Sequence, residues 1–217
     1  MNKSNLDSNL RLIAKAVGRS LPAVSRSARR DRDPFKILIA TVLSLRTKDQ
    51  VTAEASERLF AIAATPEALG NIAVRVIEKE IYPVGFYKTK ARSIRDIARR
   101  LDKEYGGVVP DSIDELLTFK GVGRKTANLV ITLGYGKPGI CVDTHVHRIS
   151  NRLGIVTTRT PEQTEFALME VLPTKYWISL NELLVSFGQT MCKPISPHCS
   201  TCPLTKTCEK IGVDRHR

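Results

Sequence analysis

The sequence predicts an all-α protein of two helical domains, and three observations carry that prediction. Capping side chains precede proline at Asp33-Pro34, Thr65-Pro66 and Thr160-Pro161. Each pair opens a helix, because the cap accepts from first-turn amides and proline at the first helical position needs no partner. Leu6, Leu10, Ile13 and Val17 recur at i, i+4, i+7 and i+11, one face of an amphipathic helix. Hairpin signals are few, and no run of alternating residues marks a strand. Ser112 with Glu115, and Thr160 with Gln163, also fit the capping box, in which two side chains satisfy each other's backbone amides.

The elements follow in order. After the N-terminal helix, "GRSLPAVSRSARRDRDP" at 18–34 is polar, basic and interrupted by Pro22, and it reads as a linker. A second break falls at "GYGKPGI", 134–140. These breaks predict a central helical unit at 27–137, with 1–26 and 138–217 combining into the other. The nearly continuous apolar run "ILIATVLSL", 37–45, is far short of a membrane span, and "MNKSNLDSNL" has no apolar signal core. The expectation is a soluble, cytoplasmic protein with no membrane partner. Lys plus Arg outnumber Asp plus Glu by 34 to 22, a net +12 spread along most of the chain. A polyanion is the natural partner for such a chain.

"LLTFKGVGRKTANLVI", 116–131, is the most informative stretch. A phosphate-binding P-loop requires glycine directly before its lysine, and Arg124 stands before Lys125. A dinucleotide fingerprint requires a preceding strand and a third glycine where Thr126 stands. A helix, a tight turn at Gly121, Val122 and Gly123, and a second helix from about Arg124 fit instead. First-turn amides and the helix dipole suit such a hairpin to a nucleic-acid phosphate, gripped without reading sequence. Downstream, "VDTHVHRISNRL" puts Asp143 before an amphipathic run, as an N-cap. His145 and His147 are two apart on that helix and point to different faces, which argues against a metal pair.

Four of the five cysteines follow as Cys192-x6-Cys199-x2-Cys202-x5-Cys208. Four thiolates in so short a stretch ask for a metal centre, and the spacing alone leaves zinc and iron–sulfur both open. Disulfides suit a protein without an export signal poorly. Cys141 lies outside the pattern and reads as a small buried hydrophobe.

Taken together, "LLTFKGVGRKTANLVI" and "GICVDTHVHRISNRLGI" resemble the helix-hairpin-helix, Gly/Pro-rich loop and downstream aspartate of the endonuclease III family of DNA glycosylases. The likeness runs over roughly residues 30 to 210. It implies a six-helix barrel domain carrying the helix-hairpin-helix, and a second helical domain formed by both chain ends around an iron–sulfur cluster. Damaged double-stranded DNA, including abasic sites, would bind in the cleft between them, to a monomer. It further implies that Lys125 is the amine nucleophile of a glycosylase and abasic-site lyase for oxidised pyrimidines, and that Asp143 is the essential carboxylate.

A nucleophilic lysine must shed a proton that an ordinary lysine keeps to about pH 10.4; Arg124, the helix dipole and loss of water all favour the neutral amine. By the same resemblance Cys192, Cys199, Cys202 and Cys208 hold a [4Fe-4S] cluster, and His145 meets a phosphate. Arg46 and Phe86 fill the gap left by an extruded base, Arg46 standing where relatives commonly carry Gln. For Phe86 the residues alone leave a core aromatic open as well. A non-catalytic DNA binder with a redox-sensing cluster is the rival reading, and only Lys125 together with Asp143 separates the two.

Overall fold

The structure of the chain, a computed structural model, describes residues 3–18, 22, 24, 25, 28 and 31–217, with side chains from residue 6 onward. Among these residues every regular element is helical. None of the helices is long and apolar enough to cross a membrane. The chain divides into two compact units, Ala23–Lys137 and Met1–Pro22 with Pro138–Arg217. The expected boundary between residues 26 and 27 falls outside the described residues.

In the central unit, helix α2 (Pro34–Ser44) is apolar on almost all sides, with every residue from Ile37 to Leu43 buried. A helix of that pattern has nowhere to go but the middle of a core. It packs against α3 (Asp49–Ile62), α6 (Tyr87–Tyr105) and α8 (Arg124–Leu129), with α4 (Pro66–Asn71) and α5 (Val74–Ile81) on α6. Helix α6 is amphipathic; Ala91, Ile94, Ile97, Ala98 and Leu101 form its buried stripe. The short α7 (Ile113–Leu117) precedes α8, which continues into a wider π-helical turn over Val130–Gly134. The polar reading of 18–34 needs one correction. Val24 and Ala28 are helical and buried in this core, because two small apolar side chains suffice to anchor a basic stretch.

In the second unit, α1 (Lys3–Val17) lays Leu6, Leu10 and Ile13 on α11 (Trp177–Thr190), which also packs on α9 (Thr144–Arg152). Helix α10 (Pro161–Val171) packs on α9. Cys192, Cys202 and Cys208 lie against this core, and Thr207 Oγ1 donates to the buried Asn9 of α1 at 2.9 Å.

All three proline caps form: Asp33 accepts from the amides of Phe35 and Lys36, Thr65 from Ala68, and Thr160 from Gln163. The capping boxes do not form as expected. Ser112 caps α7 with no side-chain bond, and Gln163 Oε1 accepts from the Arg159 amide rather than that of Thr160.

Candidate active site

The hairpin between α7 and α8 is fixed to α6 from beneath. Ser93 Oγ donates to the Lys120 carbonyl at 3.2 Å, and Arg100 Nη1 donates to Thr118 at 2.9 Å while its guanidinium lies over the buried Phe119 ring. Gly121 needs to be glycine twice over: its φ is +90°, and a Cβ there would stand 2.5 Å from Ser93 Oγ. Gly123 differs, with φ −98° and nothing within 4 Å of a would-be Cβ. Val122 between them turns its side chain into the core, and its amide donates to the Phe119 carbonyl at 3.0 Å. Gly123 caps α8 without a side-chain acceptor, unlike the caps of α2, α4 and α10. Arg124 and Lys125 are therefore the first helical residues, both half-buried, at the positive end of the helix.

Asp143 caps α9, with Oδ1 accepting from the amides of His145 at 2.8 Å and Val146 at 2.9 Å. The carboxylate is half-buried, and two bonds to the backbone fix its aim. His145 Nδ1 lies 3.2 Å from Arg148 Nη2. His147, which the sequence left without a role, has its Nδ1 2.6 Å from Thr164 Oγ1 and so links α9 to α10. Asp49 is the first residue of α3.

Arg46 and Phe86 stand on two neighbouring loops of the central unit. Both have left-handed backbone, φ +52° and +58°, conformations that cost a residue with a Cβ about 1–2 kcal/mol. Phe86 is 64% exposed, so the core alternative is overturned. The Arg46 guanidinium lies 5.8 Å from the Phe86 ring centre.

Cys192, Cys199, Cys202 and Cys208 line a single cavity with Leu153, Phe187 and His198 among its other walls. Among the described residues no group of three or more His, Cys, Asp or Glu side chains is arranged to hold one metal ion. The donor set nonetheless suits an iron–sulfur cluster, which takes four thiolates and is tuned by hydrogen bonds to its sulfurs. Cys202 Sγ accepts from the Leu204 amide and Cys208 Sγ from the Lys210 amide, each at 3.4 Å, and Arg152 Nη1 lies 3.7 Å from Cys192 Sγ. Burial pushes the Cys202 and Cys208 thiols up, and the charges of the neighbouring cysteines add to it. Four thiolates packed together thus require compensating positive charge, which a bound metal centre supplies.

No signal in the sequence marks the cations beneath these loops. Arg152 is buried and donates to the carbonyls of Lys193 at 2.7 Å and Pro194 at 2.8 Å, while Arg148 donates to that of Cys192 at 2.8 Å. Cys141 is buried, as its place outside the cysteine spacing suggested.

Residues 39–174 match the model of the HhH-GPD superfamily base excision DNA repair protein family. Endonuclease III of Thermotoga maritima is 50% identical over 180 residues, covering 83% of this chain and 84% of that protein. The chain belongs to the endonuclease III family. The chloroplastic endonuclease III homolog 2 of Arabidopsis thaliana is 46% identical, and this chain spans 80% of its own length but 47% of that protein. Among solved structures, a trapped endonuclease III–DNA covalent intermediate superposes with a TM-score of 0.87 at 34% identity, covering 97% of both chains. Membership makes this chain a DNA glycosylase and abasic-site lyase of base excision repair.

Proposed function

We propose that the chain removes oxidised pyrimidines from double-stranded DNA in the compartment that holds it, and then cuts the strand at the emptied sugar, with Lys125 as nucleophile and Asp143 as the essential carboxylate. The supporting observation is the placement of Lys125 in the first turn of a helix whose cap is a glycine with open space around it, directly behind a turn that α6 holds rigid. A phosphate can approach Gly123 closely where any Cβ would stand in its way, and the backbone of Val122 and the Arg124 side chain flank that approach.

The chemistry follows from an amine and a carboxylate. Lys125 Nζ, as free amine, attacks C1′ of the damaged nucleotide. The bond from C1′ to the base breaks, and its electron pair leaves with the base, which takes up a proton. Loss of the amine proton and opening of the sugar ring leave a protonated imine between Lys125 and C1′. Removal of a proton from C2′ then expels the 3′ phosphate, and water releases the lysine. Asp143, held by two amides, supplies negative charge to the cationic sugar and assists these proton transfers. His145 meets a backbone phosphate beside it.

Chemistry at C1′ requires the nucleotide outside the stack, and Arg46 and Phe86 fill the space it leaves. Arg46 has donors but no acceptor, so it favours an orphaned partner base rich in acceptors. Cys192, Cys199, Cys202 and Cys208 would hold a [4Fe-4S] cluster, whose bound contribution is to cross-link the loops of residues 192–208.

The test is reductive trapping with borohydride on a duplex containing one thymine glycol. The wild type is expected to give a covalent adduct, Lys125→Ala none, and Asp143→Asn a loss of roughly 100-fold or more in excision rate. A Lys125→Ala adduct at wild-type yield would remove the nucleophile assignment. No adduct from the wild type would overturn the oxidised-pyrimidine assignment.

A further inference from the structure

The central unit contains a second lysine in unusual surroundings. Lys90 of α6 is 7% exposed. Its Nζ donates to the Leu43 carbonyl at 2.8 Å, the Leu45 carbonyl at 2.5 Å and Thr47 Oγ1 at 3.1 Å. An ammonium has three donors, and all three are used on one turn of chain. Burial pushes its pKa down to about 8, the shift expected of a nucleophile, but a nitrogen enclosed by three acceptors cannot reach a substrate.

What Lys90 grips is the loop that bears Arg46. Thr47 Oγ1 accepts from Lys90 and from the Gly85 amide at 3.2 Å, and lies 3.2 Å from the Leu45 carbonyl, to which it donates. Its one donor and two acceptors are thus engaged as well. Gly85 closes the junction, since a Cβ there would stand 2.6 Å from the Arg46 carbonyl oxygen. On the far side, Arg58 of α3 donates to the carbonyls of Glu80 at 2.8 Å and Tyr82 at 2.6 Å. Two loops that begin on different helices are in this way joined at Thr47, and their tips are Arg46 and Phe86.

We propose that Lys90 is a positioning residue for base extrusion, its ammonium and Thr47 locking residues 43–47 to residues 82–87 so that Arg46 and Phe86 enter DNA as one rigid wedge. The inference rests on the function given to those two residues above. It explains why both tolerate a left-handed backbone: strain persists where surrounding bonds over-determine the loop. A wedge that is misplaced by about 1 Å forfeits rate by roughly 100-fold, because the nucleotide no longer reaches its attack geometry.

The experiment compares two substrates under single turnover. One is a duplex with thymine glycol, which must be unstacked; the other is a single strand with a preformed abasic site, which need not be. Lys90→Met and Thr47→Val are expected to slow excision from the duplex by roughly 100-fold while leaving abasic cleavage within about threefold. Thr47→Ser, which keeps the hydroxyl, is expected to restore duplex excision. In parallel, 2-aminopurine beside the lesion reports unstacking directly, and its fluorescence rise is expected to be lost in the two impaired variants.

Equal losses on both substrates would make Lys90 a general structural residue, and wild-type excision by both impaired variants would end the proposal. If Lys90→Met does not fold, the Thr47 pair decides alone. Should the wild type form no covalent adduct, the lysine chemistry fails separately, and the 2-aminopurine signal still reports on the wedge.

Discussion

The loops at 43–47 and 192–194 are both gripped from beneath by side-chain cations that donate to backbone carbonyls, yet the cations differ. The first is held by one ammonium, Lys90, with three bonds converging on a single point. The second is held by the guanidiniums of Arg148 and Arg152, which between them reach three successive carbonyls and lie beside a cysteine sulfur. Burial lowers the pKa of Lys90 to about 8 and lowers that of Arg148 as well. The starting points decide the outcome, since arginine stays charged throughout the ordinary range and lysine does not. A planar fork suits a wide loop wrapped around thiolates, where the charge must persist. A compact ammonium suits a tight turn whose tip has to be aimed.

The largest effect is expected of Arg152→Met. It leaves the carbonyls of Lys193 and Pro194 without their donor, and a cost of about 3 kcal/mol is expected. Urea unfolding followed by hydrogen exchange should place the loss in the unit that carries the cysteines; an unchanged midpoint would remove Arg152 from the anchor. Arg152→Lys separates charge from geometry. An ammonium keeps the charge but not the fork, so a loss of about 1–2 kcal/mol is expected, and full retention would show that charge alone suffices.

The last effect is in pH. Lys90 has a folded pKa of about 8 against an ordinary value of 10.5, so between these the folded chain binds fewer protons than the unfolded one. Its burial penalty is fully present below about pH 8 and fades as pH rises toward 10.5. The wild type should therefore gain stability relative to Lys90→Met between pH 7.5 and pH 9.5, as read by paired urea titrations. A constant difference would place the Lys90 pKa outside that window.

Much of the fold was legible because its signals are local. Asp33, Thr65 and Thr160 cap helices as the residues themselves indicate, and Leu6, Leu10 and Ile13 bury the face that their spacing marks. Of the candidate site, the glycine turn, the Asp143 cap and the cysteine spacing are all short-range patterns and could be read directly. Val24 and Ala28 were not legible as core, because a basic stretch hides two apolar contacts. Nor did the Ser112 box form, and the chain just after that short helix is held to α6 by tertiary bonds from Ser93 and Arg100.

By itself the sequence determined the helical class, the hairpin with Lys125 behind it, the carboxylate cap at Asp143 and the four-cysteine spacing. Each depends on residues a few positions apart, where backbone geometry fixes which side chains meet. Tertiary structure alone decided that Lys90 grips the chain 47 residues before it and that Arg152 grips the chain 42 residues after it. It decided too that Phe86 faces solvent beside Arg46. Lysine, arginine and phenylalanine carry no periodic signature, and whether a cation is a solvated surface charge or a buried anchor depends on which distant carbonyls the packing brings within reach.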